Sequence, residues 1–246
     1  MPQEPRLTMI ERPGAPSQAS AGAADEGKNT ISSQILARLR EAIVSGQMAA
    51  GSKINLDQVK TQLQVSLSPL REALARLTAD GLVLFEDNRG YRVAPVSLAD
   101  FTEIARLRDQ FETYALREAM IHGDLAWESD VIRALHVVNR TERDASRPET
   151  LEAWEAVHRD FHLTLISGCG MPVLLRFCSM LLNLHDRYRR TFLRRTSGDR
   201  NVMLEHSEIA QAAVARDADF ACEKLREHLS RTASNLQRYL AEQGIH

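Results

Sequence analysis

The sequence between residues 30 and 95 contains three helical patterns followed by two short strand patterns, and this order constrains the fold more than any other feature. Asn29 or Thr30 is the predicted N-cap of the first helix, and Ser68 is the predicted N-cap of the third, with Pro69 at its first helical position. The strand patterns cover residues 82–85 and 91–94, and the turn between them ends on Gly90, which supplies a positive φ. Apolar residues recur at helical spacing in all three helices: Ile31, Ile35, Leu36, Leu39, Ile43, Val44, Leu56, Val59, Leu63, Leu70, Ala73, Leu74 and Leu77. Three helices and a hairpin in this order predict a winged helix-turn-helix unit.

The third helix of such a unit inserts its N-terminal end into the major groove of DNA. Ser66, Ser68 and Arg71 fall at that end, and the Arg71 guanidinium can make a bidentate contact with guanine. The region carries eight Lys and Arg against six Asp and Glu, so the placement of single cations must matter more than bulk charge. Arg92 is most simply interpreted as an ordinary surface arginine. The predicted phosphate and wing residues are Lys53, Lys60, Arg89 and Gly90.

The remainder of the chain divides into a tail and a long helical region. Residues 1–28 are rich in Pro, Gly, Ala, Ser and Gln and are predicted to be a disordered tail, which places the DNA-binding domain at residues 29–96. From residue 97 onward every pattern is helical, with Ser97 as the first N-cap. The predicted helices cover residues 98–119, 127–145, 148–167, 174–196, 202–215 and 220–242. The predicted fold is therefore mainly α, with an antiparallel bundle of six to seven helices at residues 97–246.

Composition narrows the class of protein further. The formal net charge of −2 excludes a uniformly basic nucleic-acid binder, although a local basic face is compatible with it. Three cysteines without a CxxC pair, Cys169, Cys178 and Cys222, indicate reduced thiols rather than a disulfide framework. The sequence contains neither an apolar run of roughly 18 residues nor a signal-peptide core, so a cytoplasmic protein without a membrane partner is predicted.

Four histidines form a candidate metal site. His158 and His162 are four residues apart and project from one face of a helix, but two imidazoles are only half of a metal site. His206 and His228, in later helices, are candidates for the other half. An all-imidazole set favours Zn²⁺ or Ni²⁺ over Mg²⁺ or Ca²⁺. Each histidine taken alone is more simply a buried residue with a polar partner.

Two alternatives to a sensor role stay open at this point. A metal-dependent hydrolase would use the same histidines, but the sequence lacks the glutamate of the HExxH motif, and Asp160 points away from His158. A purely structural metal would stabilise the bundle without binding any effector.

The DNA-binding region resembles a known family. The stretches GSKINLDQVKTQLQVSLSPLREALARLTADGLV (residues 51–83) and NRGYRVAPVS (residues 88–97) are similar to the DNA-binding domain of the GntR family of bacterial transcription regulators. The resemblance covers residues 30–96 and matches Arg71 to the family's DNA-contacting arginine and Gly90 to its wing glycine. Family members usually carry Arg-Thr-Pro where this chain has Leu67, Ser68 and Pro69, so the operator sequence of relatives does not transfer.

The helical region resembles the FCD ligand-binding domain of the FadR subfamily of these regulators. The resemblance is carried by ARLRDQFETYALREAM, HRDFHLTLISGCGMPVLLRF, DRYRRTFL and EHSEIAQAAVARDADFACEKLREHL. Many such domains hold a divalent metal with an Asp or Asn, a His four residues later and two further histidines. The matching histidines here are His162, His206 and His228, while His158 replaces the Asp or Asn.

The resemblance also implies an effector and an assembly. The effector would be a small carboxylate that binds the metal and meets a guanidinium, with Arg108 as the matching arginine and Asn183, Arg187 and Tyr188 as further candidates. The details GCGMPVLL, RYR and FLRRT are similar to repressors that respond to glutarate or 2-hydroxyglutarate, while lactate, sugar acids and citrate stay open. The implied protein is a homodimeric repressor that binds an inverted-repeat DNA operator, although an activator would have the same sequence features.

Overall fold

The computed structural model describes residues 31–144, 147–192 and 201–245. The chain divides between Pro95 and Val96 into two compact units, which are described separately below. The predicted tail at residues 1–28, the predicted N-cap at Asn29 or Thr30, and the end of the helix predicted to reach residue 196 lie outside the described residues.

The N-terminal unit consists of three helices and a hairpin. Its elements are α1 Ile31–Val44, α2 Leu56–Leu63, α3 Leu67–Ala79, β1 Val83–Glu86 and β2 Gly90–Val93. The strands pair antiparallel, with Val83 opposite Val93, and both of these residues are fully buried. Leu70, Leu74 and Leu77 of α3 are also fully buried, because their helical spacing turns one face of α3 toward the core. The predicted winged helix-turn-helix architecture is confirmed.

The predicted start of α3 is wrong by two residues. Ser66, and not Ser68, is the N-cap, although its side chain makes no capping hydrogen bond. Pro69 is consequently the third helical residue. A proline fits there because the first four backbone N–H groups of a helix have no acceptor within the helix.

Six helices form the C-terminal unit in the described part of the chain, so the predicted helical bundle is confirmed. They are α4 Leu98–His122, α5 Leu125–Arg140, α6 Pro148–Ser167, α7 Pro172–Phe192, α8 Val202–Val214 and α9 Ala218–Glu242. The predicted cap Ser97 accepts a hydrogen bond from Asp100 N. Three helices begin two residues earlier than predicted. Asp124 caps α5 and Asp217 caps α9 with their side-chain oxygens, and α7 begins at Pro172, a residue that the prediction places in the preceding turn. None of the described helices is long and apolar enough to cross a membrane.

Arg216 closes one corner of the bundle. Its guanidinium donates to the carbonyls of Met120 at 2.6 Å and Gly123 at 2.8 Å at the end of α4, and it pairs with Glu128 of α5. A side chain at Gly123 would collide with the Trp127 ring, since a Cβ placed there would lie 2.5 Å from it. The corner therefore fixes α4 and α5 next to the turn between α8 and α9.

Candidate functional site

The four predicted histidines converge inside the bundle. His158 and His162 come from α6, one helical turn apart, and His206 and His228 come from α8 and α9. One ring nitrogen from each histidine lies within 4.8 Å of the others, and all four side chains are buried. Four imidazoles around a zinc ion need nitrogens separated by about 3.3 Å, so small side-chain movements are enough to make a tetrahedral site.

The burial and lowered pKa values of these imidazoles favour binding of a transition metal. Burial lowers the pKa of His158 well below its usual value, and the nearby Arg189 lowers it further. Burial also lowers the pKa of His162, although Glu112 opposes the effect. Neutral imidazole is the form that binds metals. Within the described residues, His158 Nδ1 and both ring nitrogens of His162 have no hydrogen-bond partner. Buried imidazole nitrogens of this kind are suitable ligands for a divalent transition metal ion.

Two carboxylates that sequence reasoning missed stand beside the histidines. Glu205 Oε2 lies 2.8 Å from His228 Nδ1, and Glu205 Oε1 accepts a hydrogen bond of 2.9 Å from Arg231. If His228 Nδ1 carries the proton, its Nε2 keeps a lone pair for a metal. Glu112 Oε2 lies 3.7 Å from His162 Nδ1. Glu205 directly precedes His206. From the sequence alone, a glutamate at this position is predicted to lie on the surface, because its burial depends on tertiary packing.

Replacing Glu205 with glutamine is expected to weaken metal binding about 10- to 100-fold, because the amide no longer holds His228 in one orientation and tautomer. Competition with a chromophoric chelator measures the change. Glu208→Gln is the matched control, since Glu208 lies on the same helix and pairs with Lys224 instead of a histidine. Equal losses in the two variants would contradict a specific role for Glu205.

The predicted effector residues are all buried, but they do not form one group. Arg108 is joined to the histidines through Glu112, to which its Nε donates at 2.5 Å and its Nη2 at 3.2 Å. Burial alone would raise the pKa of Glu112, yet Arg108 and His162 outweigh it and lower the pKa to about 2. Arg108 is therefore committed to a buried ion pair in this structure.

Tyr188, Arg187 and Asn183 all lie on α7. The Tyr188 hydroxyl accepts a hydrogen bond of 3.2 Å from Ser97 N, and its ring packs against Phe101 in a second apolar cluster. The Arg187 guanidinium lies 5.3 Å from the centre of the Tyr188 ring, and Asn183 is buried one turn earlier. In the described part of the bundle, the contacts of Tyr188 are those of a structural core residue.

A further set of buried charges surrounds Arg189. Its guanidinium pairs with Glu155 and lies 3.1 Å from Asp186, which is also 3.6 Å from Arg159. Burial raises the pKa of Glu155, whereas for Asp186 the effect of Arg189 outweighs burial and lowers the pKa. Arg189 also lowers the pKa of His158, so this buried charge network reaches the histidine cluster.

The predicted DNA-contacting side chains are exposed on the N-terminal unit. Ser66 and Arg71 lie at the N-terminal end of α3, and Arg89 lies at the tip of the hairpin beside Gly90, whose φ is +83°. Arg92 is half-buried; it donates a hydrogen bond of 2.6 Å to Gly51 O and lies 3.5 Å from Glu86. The other exposed members of the predicted set are Lys53, Lys60 and Ser68.

Replacing Arg71 with alanine is expected to weaken operator binding by about 1–3 kcal/mol and to relax the sequence preference, because a base-reading guanidinium is lost. Fluorescence anisotropy with labelled DNA from the protein's own upstream region measures this. Arg76→Ala provides the control, since Arg76 is exposed on the last turn of the same helix. A loss of the same size in the control would show that Arg71 acts only through bulk charge.

A winged helix-turn-helix unit followed by a helical bundle with a buried histidine centre defines the class of this protein as a DNA-binding transcriptional regulator with a helical regulatory domain. Two family models match the chain: "Bacterial regulatory proteins, gntR family" over residues 31–93, and "FCD domain" over residues 103–231. The chain belongs to the GntR family of bacterial regulators, and its C-terminal domain is an FCD domain.

Individual relatives agree with this family. An uncharacterized HTH-type transcriptional regulator, BphR, from Paraburkholderia xenovorans strain LB400 is 37% identical, over 82% of this chain and 83% of the relative. The HTH-type transcriptional repressor GlaR from Escherichia coli strain K12 is 30% identical, over 82% of this chain and 94% of the relative. The solved structure of E. coli McbR/YncC shares the fold, with a TM-score of 0.74 and 19% identity over 85% of this chain and 98% of that chain.

Family membership decides between two of the functions considered from the sequence. The family and these relatives are transcriptional regulators, so the chain is a regulator that binds DNA and is not an enzyme. The hydrolase alternative is therefore wrong. FCD domains often bind metals, and the histidine cluster could hold one.

Proposed function

We propose that this regulator is a homodimeric repressor that binds an inverted-repeat operator and is released from it by a small carboxylate. The carboxylate binds in the helical bundle beside a metal ion, with Zn²⁺ or Ni²⁺ as the metal. Glutarate and 2-hydroxyglutarate are the leading effectors, on the basis of the resemblance of residues 168–196 to repressors that respond to them. The 30% identity to a repressor from Escherichia coli supports the direction of regulation.

The observation that carries this proposal is the convergence of four buried histidines on a chain that also has a DNA-binding unit. His158, His162, His206 and His228 would hold the cation, and their nitrogens already lie within 4.8 Å of one another. The bound ion would supply the Lewis-acid attraction for the effector's carboxylate. Beside it, Glu205 would orient His228 through the contact of 2.8 Å with Nδ1.

Coupling to DNA follows from thermodynamic linkage. An effector changes the affinity for the operator only by its differential affinity for the two arrangements of the protein. A symmetric dimer places two winged units on the two half-sites of an inverted repeat. The proposed effector therefore favours an arrangement that no longer spans both half-sites.

The test is fluorescence anisotropy of the upstream DNA with metal-loaded protein, with and without glutarate or 2-hydroxyglutarate. We expect at least one of these acids to weaken DNA binding tenfold or more, and the effect to disappear after chelation of the metal. DNA binding that neither acid alters would contradict the proposed effectors. Analytical ultracentrifugation of the free protein and of its DNA complex tests the dimer.

A structural metal is the second candidate, and the Glu205–His228 contact supports it equally well, because a metal held by three helices also stabilises the bundle. Thermal melting separates the two functions. A structural metal predicts a lower melting temperature after chelation and no shift when carboxylates are added to the metal-loaded protein.

A further inference from the structure

The Tyr188 hydroxyl holds the first residues of the C-terminal unit. It accepts a hydrogen bond of 3.2 Å from the backbone N–H of Ser97, the N-cap of α4. Ser97 lies two residues after Pro95, where the N-terminal unit ends. The Tyr188 ring is completely buried and packs against the Phe101 ring, with ring centres 5.1 Å apart. Packing of this kind restricts the orientation of the ring, so the hydroxyl is a fixed acceptor for the start of α4.

The residue after Tyr188 connects α7 to the helix that carries His158. Arg189 pairs with Glu155 of α6, and its guanidinium lies 5.8 Å from the centre of the Trp154 ring. Trp154 in turn stacks on His158, with ring centres 4.5 Å apart. Neighbouring residues of α7 thus contact the start of α4 and the surroundings of the histidine cluster.

Two ion pairs between α6 and α7 flank His158. Glu155 precedes His158 by three residues and Arg159 follows it directly. Glu155 pairs with Arg189, and Arg159 lies 3.6 Å from Asp186. Glu155, Asp186 and Arg189 are buried, and separating a buried pair would leave an uncompensated charge in the interior. We therefore expect α6 and α7 to move together at this point.

A metal bound by the four histidines would restrain this part of the bundle. The histidines come from α6, α8 and α9, so one ion would hold three helices together. Binding that restrains a protein in this way also reduces the motion of elements packed against the site. The ion pairs would extend the restraint from α6 to α7, and the Tyr188 hydroxyl would extend it to Ser97.

We infer that Tyr188 is a positioning residue, which connects the occupancy of the histidine centre to the start of α4 and thereby to operator binding. Because Ser97 lies next to the boundary between the two units, a restraint on its backbone limits how the chain leaves the bundle. The inference rests on the proposed function, since it requires a ligand at the histidines and an effect on DNA binding. It gives Tyr188, a predicted effector ligand, the role of transmitting binding rather than making it.

Hydrogen exchange of the full chain, followed by mass spectrometry with and without Zn²⁺, tests the inference with the metal alone. In the wild type, Zn²⁺ is expected to slow exchange in peptides covering residues 97–101 by about threefold or more. Tyr188→Phe keeps the buried ring and loses only the hydroxyl. In this variant, exchange at residues 97–101 is expected to be faster and no longer to depend on Zn²⁺.

Ser97→Ala is the matched control for a loosened start of α4. It removes the side-chain oxygen that accepts from Asp100 N but keeps the backbone N–H at position 97, which Tyr188 accepts. A merely structural role for Tyr188 predicts that both variants exchange faster and both still respond to Zn²⁺. The inference predicts that Ser97→Ala alone keeps the response. Tyr114→Phe, at an exposed tyrosine of α4, is expected to match the wild type.

Operator binding provides a second measurement. Fluorescence anisotropy gives the factor by which the proposed carboxylate weakens the binding of metal-loaded protein to its upstream DNA. This factor is expected to fall about threefold or more in Tyr188→Phe, because the variant interrupts the connection between the two sites. The affinity of the effector-free variant for DNA is expected to equal that of the wild type, since Tyr188 lies outside the DNA-binding unit.

The outcomes separate this inference from the proposed function. Exchange at residues 97–101 that does not respond to Zn²⁺ in the wild type, or that responds equally in Tyr188→Phe, would overturn the role of Tyr188 while leaving carboxylate sensing in place. An undiminished effect of the carboxylate on DNA binding by Tyr188→Phe would also overturn it. DNA binding that neither acid alters would overturn the proposed effectors, and the exchange measurement would still decide whether Tyr188 connects the metal centre to α4. Protein that binds no Zn²⁺ would overturn the metal centre and this inference with it.

Discussion

Replacing Arg108 with methionine is expected to destabilise the helical bundle by about 3–5 kcal/mol, because it leaves Glu112 buried without its partner. Both side chains are almost completely inaccessible, and Arg108 donates two hydrogen bonds to the Glu112 carboxylate. His162 Nδ1 lies 3.7 Å from the Glu112 carboxylate, too far to replace the two hydrogen bonds that Arg108 donates. The free energy of unfolding from urea denaturation, followed by circular dichroism, measures the effect.

The experiment must separate the effect of the ion pair on the free energy of unfolding from the effect of a bound metal. All variants are measured with excess chelator, since a metal that binds only the folded protein would add its own stabilisation. The double variant Arg108→Met, Glu112→Leu is expected to be clearly more stable than Arg108→Met, because it removes both charges from the interior. If Arg108→Met costs less than about 1 kcal/mol, as is usual for exposed pairs, the pair is solvated in solution and the description of Arg108 as buried is wrong.

Replacing His162 with alanine is expected to lower the affinity for Zn²⁺ or Ni²⁺ by at least about 100-fold, a loss larger than that for an outer carboxylate. His162 is 2% exposed, and neither of its ring nitrogens has a hydrogen-bond partner among the described residues. A metal therefore gives one of these buried nitrogens a partner that the described residues do not provide. Competition with a chromophoric chelator again measures the affinity, and His136→Ala, an exposed histidine on α5, is the control.

His158 offers a sharper variant at the same site. His158→Asp keeps a possible ligand but exchanges a neutral nitrogen for a charged oxygen, so we expect a shift of preference from Zn²⁺ and Ni²⁺ toward Mn²⁺. Unchanged affinities for all three metals would show that His158 is not a ligand. An unchanged affinity in His162→Ala would refute the histidine centre as a whole.

The helices and the histidine cluster could be predicted from local patterns in the sequence. Apolar spacing identified α1 to α9, and errors were confined to their ends, where a cap such as Asp124 or Asp217 competes with the first apolar residue as the apparent start. Ser66 and Ser68 are both plausible N-caps before Pro69, and no local rule separates them. His158 and His162 were identifiable from their four-residue spacing, and the family resemblance supported His206 and His228 as their partners. Convergence within the bundle is a tertiary property that spacing alone could not show.

The buried charges could not be predicted in this way. Asp186, Arg187, Arg189 and Arg190 read as a solvated run at the end of a helix, yet all four are buried. Asp186 and Arg189 pair with Arg159 and Glu155 of a neighbouring helix, which are more than 25 residues away in sequence. Pairing across helices removes the penalty that makes isolated charges surface residues. Glu112 and Glu205 could not be predicted as buried residues for the same reason, because their partners lie on other turns or other helices.

The stack of Trp154 on His158 makes the protein its own optical probe. The chain contains two tryptophans, and Trp127 lies on α5 with its indole N–H donating to Thr164 O. In a Trp127→Phe background, the emission of the remaining indole would report on a group stacked on it at 4.5 Å. A cation bound by His158 changes the charge at that ring, and a paramagnetic ion such as Ni²⁺ should quench the emission where Zn²⁺ does not. Metal loading could thus be followed in real time, without any attached dye.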